Sequence, residues 1–151
     1  MPRPREWRLA AALCFGMLAG LPRLAIAQDR VVLIVNAANP VATITRDELS
    51  KMFLLRLTRW PNGQHVQPVD GNEMSPVRRH FSDTVLRMDV PSVKSFWQEI
   101  VFSGRGTPPP ERVSEIEIIG FVKKNPGAIG YVSSITPVDG VKVITLTASS
   151  P

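Results

Sequence analysis

The stretch with the most chemical potential lies mid-chain: Gly71-Asn72-Glu73-Met74-Ser75-Pro76-Val77-Arg78-Arg79. A hydroxyl at a helix start stands before backbone N–H groups that no helical carbonyl satisfies, and such a corner attracts an anion. Ser75 is that hydroxyl, and the amides of Val77 and Arg78 follow it. Arg78 and Arg79 fall in the first turn, where positive charge opposes the helix dipole. A guanidinium closing as a fork on an oxyanion would offset that cost. Glu73 opposes an anion unless the anion carries a proton that it can donate. The same residues also fit a plain cap, with Ser75 capping the helix start and both arginines in water. These residues alone leave both alternatives standing.

Catalytic chemistry finds little support. The only histidines are His65 and His80, and neither has a cysteine or carboxylate at metal-ligand spacing. His80 and Asp83 sit one helical turn apart, a spacing usual for a solvated surface pair. No nucleophile elbow, phosphate-cradling glycine loop or dinucleotide fingerprint is present. No catalytic residue, metal or cofactor is therefore expected. Trp60 and Trp97 fit core packing, with a ligand platform as the alternative. Pro108-Pro109-Pro110 fits a rigid surface loop, with a docking strip as the alternative.

Residues 1–27 have the pattern of a secretory leader. Arg3, Arg5 and Arg8 precede an apolar run over 9–21, and Ala25-Ile26-Ala27 offers a small-x-small cleavage site. The run is shorter than the ~20 apolar residues of a membrane span, and Pro22 and Arg23 end it. With no twin-arginine pair, the general secretion route is expected, with cleavage after Ala27 and a periplasmic destination. Cys14, the sole cysteine, leaves with this segment, so residues 28–151 have no thiol nucleophile and no disulfide. The leader also holds four of the 18 Lys+Arg and one of the 13 Asp+Glu. That leaves 14 against 12, a balance of +2, which gives no warrant for nucleic acid as a partner.

The elements that must position the central stretch are well punctuated. Val31-Val32-Leu33-Ile34-Val35 is a continuous β-branched run, as in a strand buried on both faces. Thr45 and Glu48 form a capping box, with Ile44 and Leu49 as its staple, ahead of Met52 and Phe53. Trp60-Pro61-Asn62-Gly63 is a turn before a short strand near residues 66–69. A second helix starts at Ser75 with Pro76 in its first position and buries Val77, Phe81, Val85 and Met88. A third begins near Pro91 and buries Val93, Phe96, Trp97, Ile100 and Val101. Ser114 and Glu117 predict a second capping box, stapled by Val113 and Ile118, for a helix ending at Lys123-Lys124. Strands follow at residues 128–132 and 141–146. Strands alternating with helices predict one α/β layered domain over 28–151.

Three stretches resemble the phosphate-type substrate-binding proteins of bacterial ABC transporters. The most specific is Asn125-Pro126-Gly127-Ala128-Ile129-Gly130-Tyr131-Val132, similar to the family's proline-glycine-alanine-isoleucine-glycine-tyrosine strand. The helix from Ile44 to Phe53, with the tryptophan turn after it, is a moderate match. Residues 69–81 resemble, weakly, the family's serine-glycine-threonine helix start. The resemblance spans 31–132 and implies a single periplasmic-binding-protein-like (type II) lobe, a mixed sheet flanked by helices. Family members have two lobes and about twice this length.

Carried over by position, Ser75 matches the phosphate-binding serine and Glu73 an aspartate that accepts the phosphate proton. Pro76 and Val77 replace the family's glycine and threonine, and Gly71 stands where it has an arginine. The implied function is non-catalytic binding of phosphate or a similar oxyanion by Ser75, Val77, Arg78, Arg79 and Glu73. The implied partners are an inner-membrane ABC permease or a sensor kinase, with a homodimer as a way to rebuild a cleft. The alternative is an adaptor or sensor-input domain that kept the fold and lost the ligand.

Overall fold

The computed structural model describes residues 30–148, so the leader over 1–27 lies outside the described residues. The β-branched run forms β1 (Val31–Asn36), the centre of a five-stranded sheet. It pairs antiparallel with β6 (Ala128–Ser133) on one side and β7 (Val141–Thr147) on the other. β2 (Thr43–Thr45) lies parallel to β7, and β3 (Gln67–Pro68) parallel to β6, giving the order β2-β7-β1-β6-β3. Helices cover both faces. Leu33 and Val35 of β1 therefore enter one core and Ile34 the other, which is why this strand is apolar without alternation.

One face carries α1 (Arg46–Phe53), α2 (Pro76–Phe81) and α3 (Val90–Phe102). A π-helical turn, Ser82–Leu86, continues α2 and closes on Arg87 in the left-handed region. The predicted capping box of α1 is present. The Glu48 amide donates to Thr45 Oγ1 at 3.2 Å, and the Thr45 amide returns to Glu48 Oε2 at 2.9 Å. The Thr45 amide and the Thr45 hydroxyl, both donating to it, hold the Glu48 carboxyl below the usual range. In α3, Val93, Trp97 and Ile100 are buried as expected, but Val101 is 49% exposed. One step beyond Ile100 turns its side chain about 100° around the helix, away from the core.

The other face carries α4 (Glu115–Lys124), reached through β5 (Glu111–Arg112), which pairs parallel with β4 (Asp70–Gly71). Its cap differs from expectation. Ser114 Oγ accepts from the Glu117 amide, but the Glu117 carboxylate returns to the Val113 amide, one residue short of the cap. Val113 is 75% exposed and does not staple the buried Ile118, because the chain enters α4 directly from β5. At its far end α4 is tied to the sheet by Asn36, whose Nδ2 donates to the carbonyls of Val122 (2.9 Å) and Lys123 (3.0 Å). These are among the orphan acceptors of a helix C-terminus.

Candidate functional site

A buried polar cluster forms where β4 meets α2. The chain passes from buried Val66 and Val69 into Asp70, and both Asp70 and Arg78 are almost fully enclosed. Arg78 Nη2 lies 2.8 Å from Asp70 Oδ2. Its Nη1 donates at 3.1 Å to the hydroxyl of Ser82, one turn further along the helix. Tyr131 on β6 donates its phenol to Asp70 Oδ1, and the Gly71 amide donates to the same oxygen at 2.9 Å. Arg78 Nε is buried and has no hydrogen-bond partner. The phenol ring stacks on Phe81, with centroids 3.9 Å apart and planes 7° from parallel. The whole cluster thus rests on the α2 side of the sheet.

Burial sets the electrostatics. Loss of water pushes the Asp70 carboxyl up to about 6, against the opposing charge of Arg78 and the donors of Tyr131 and Gly71. Burial, and then the neighbouring Asp70 charge, raise the Tyr131 phenol above its ordinary range. The π turn that carries Ser82 is a form of helix found often at functional sites.

A pocket of about 350 Å³ opens beside this cluster. Its polar lining residues are Asp70, Glu73, Arg78, Lys94, Gln98 and Glu111. Its apolar ones are Val90, Val93, Trp97, Val101 and Phe102 of α3, with Pro108 and Pro109. Glu73 and Lys94 pair across the rim at 2.9 Å with both side chains in water. That pairing holds the Lys94 ammonium above its usual range.

The residues singled out from the sequence are therefore divided. Glu73 and Arg78 meet at this pocket, while Ser75, Val77 and Arg79 are not among its lining residues. Ser75 caps α2, its hydroxyl accepting from the Arg78 amide at 3.4 Å. The side chain of Val77 is buried in the core. Arg79 is exposed and donates to the Met74 carbonyl at 2.9 Å. Arg78 lies neither in water nor open to the α2 corner, because Asp70 turns it inward.

Asp70, Ser82, Tyr131 and Lys94 were not singled out from the sequence as site residues. The available signals were an acid directly after a buried apolar run, and a serine four residues beyond an arginine on one helix face. Trp60 is a core residue, its indole donating to the Gly127 carbonyl at 3.0 Å. Trp97 serves both core and pocket wall. Among the described residues, no three His, Cys, Asp or Glu side chains gather as a metal site.

No protein-family model and no curated protein matches the chain. Solved structures do. An ABC-type phosphate transport receptor from Vibrio cholerae is 20% identical, with a TM-score of 0.60 over 77% of this chain and 45% of that one. A phosphate ABC transporter substrate-binding protein with bound phosphate from Clostridium perfringens is 18% identical, with a TM-score of 0.62 over 77% of this chain and 44% of that one. PstS from Borrelia burgdorferi is 16% identical, with a TM-score of 0.62 over 82% and 49%. The chain spans about half the length of each of these structures. The likeness shows the fold: a mixed α/β sheet with flanking helices that matches periplasmic-binding-protein-like neighbours.

Proposed function

We propose that the chain is a periplasmic, non-catalytic solute-binding domain that holds phosphate or a similar oxyanion and serves an inner-membrane ABC permease. The observation that carries this proposal is the Arg78 guanidinium, which lines the pocket and whose Nε is buried and unpartnered. A buried donor with no acceptor costs about 1–3 kcal/mol, and an oxyanion is the acceptor that a guanidinium accommodates best. Lys94 and Glu73 line the same pocket, and in this reading Lys94 supplies a second cation and Glu73 accepts a proton from the ligand. The fold shared with structures named as phosphate receptors supports the same ligand class.

Titration calorimetry with phosphate, sulfate and molybdate tests the proposal. Binding is expected, and Lys94→Gln is expected to weaken it about tenfold, equivalent to one charge-assisted bond of roughly 1.5 kcal/mol. Ser75→Ala separates the α2 corner from the pocket, because the Ser75 hydroxyl serves only the first. No heat up to millimolar anion sinks the proposal. It would favour a second function, an adaptor or sensor-input domain. That alternative has its own support: Asp70 already occupies one edge of Arg78, and Lys94 already occupies Glu73.

A further inference from the structure

We propose that the pocket beside Arg78 takes a singly charged organic acid with a compact apolar body, in preference to a bare inorganic anion. This rests on the oxyanion function above and names the ligand class for the same site. The first ground is room. A pocket of about 350 Å³ lies in the roughly 300–1,000 Å³ range of small-molecule sites. A tetrahedral inorganic anion needs on the order of two or three waters' space, each water taking about 30 Å³. It would leave most of the pocket unfilled.

The second ground is the apolar share of the lining. α3 presents Val90, Val93, Trp97, Val101 and Phe102 to the pocket, with Lys94 and Gln98 between them. Phe102 is 91% and Val101 49% exposed at the rim. A ring or branched chain attached to the anionic head would lie against both and remove their surface from water.

The third ground is charge. Asp70, Glu73 and Glu111 face Arg78 and Lys94 around the pocket, three acids against two bases. Against that net negative lining a dianion meets about twice the repulsion of a monoanion, so the singly charged ligand is the favoured one. Arg78, itself 3% exposed, lines the pocket beside these charges, and its buried Nε has no partner.

Calorimetric titration of the purified protein with inorganic phosphate, methylphosphonate, phenylphosphonate and benzoate tests the inference. Methylphosphonate and phenylphosphonate share a head and differ in apolar body. Phenylphosphonate is expected to bind about tenfold or more tightly than methylphosphonate, the gain of burying one ring. Phe102→Ser and Val101→Asp, both at exposed positions, are expected to shrink that ratio towards one. Equal affinities, tightest binding of inorganic phosphate, or a phenyl gain that survives both substitutions would each overturn the inference while leaving oxyanion binding in place. Absence of binding by all four anions would instead remove the underlying function, and the inference with it.

Discussion

Arg78 and Asp70, eight residues apart in sequence, meet at 2.8 Å with both side chains more than nine-tenths buried. Such a pair is a weak source of net stability, because each ion gives up its water to enter the interior. Removing one partner is different, since it strands the other charge. Asp70→Asn is therefore expected to destabilise the fold by about 3–5 kcal/mol. Asp70→Asn combined with Arg78→Met is expected to recover most of that loss, because the two changes share one interaction. Urea unfolding of the single and double variants measures this. Losses that simply add would show that the two residues are not coupled.

The same carboxyl links stability to pH. Asp70 is pushed from 3.8 up to about 6, chiefly by burial. Between those values the folded protein keeps a proton that the unfolded chain has released. The stability contributed by this group is thus full below pH 4 and is lost as pH rises through 6, at up to about 1.4 kcal/mol per pH unit. Glu48, and Asp89, which caps α3 by accepting from the Ser92 amide, have carboxyls held low by these hydrogen bonds and act in the opposite direction as pH falls. They act alike in wild type and variants, so differences between proteins isolate Asp70. Asp70→Asn is expected to lack the Asp70 component of the slope between pH 4 and 6. An unchanged slope would mean that this carboxyl does not titrate there.

The parts of this fold carried by local chemistry were legible in the sequence. The β-branched run of β1, the Thr45 and Glu48 box and the Pro76 start of α2 depend on neighbouring residues only. The fold class followed from their alternation. What stayed hidden depends on contacts between distant residues. Asp70 and Tyr131 are 61 positions apart, and only the β6 register brings the phenol over β4. The pairing of β4 with β5 joins two-residue strands too short for any periodicity to mark. The inward turn of Arg78 followed from Asp70, which looked like part of a polar loop. The exposure of Val113 has the same origin, since it depends on how the chain enters α4 from β5, whereas that of Val101 follows from the helical period alone.

Two glycines give opposite expectations for one substitution. A Cβ at Gly130 on β6 would lie 2.9 Å from Ile118 Cγ2, 2.9 Å from Val69 Cγ1 and 3.4 Å from Val122 Cγ2, all buried branched side chains. None of them has room to yield, because α4 packs directly on this strand. Gly130→Ala is expected to cost about 1–3 kcal/mol through overpacking. Gly120, within α4, has open space where its Cβ would be. Gly120→Ala is expected to stabilise by roughly 0.5–1 kcal/mol, the difference in helix propensity. Thermal unfolding of both variants decides it, and equal shifts would contradict the close α4–β6 contact.

Tyr131→Phe probes the cluster with the ring left in place. The stack on Phe81 survives, while Asp70 Oδ1 loses a donor and keeps only the Gly71 amide. A hydrogen bond to a charged group is worth about 1.5–3 kcal/mol, so a loss of that order is expected above pH 6, where Asp70 is ionised. Below pH 4 the carboxyl is neutral and the loss should be smaller. The Tyr131 donor also lowers the Asp70 carboxyl, so its removal should move the pH-dependent fall in stability to higher pH. Urea unfolding across pH 4–8 compares both signs in one series. A loss of equal size at every pH would show that the phenol serves the packing of Phe81 and not the charge on Asp70.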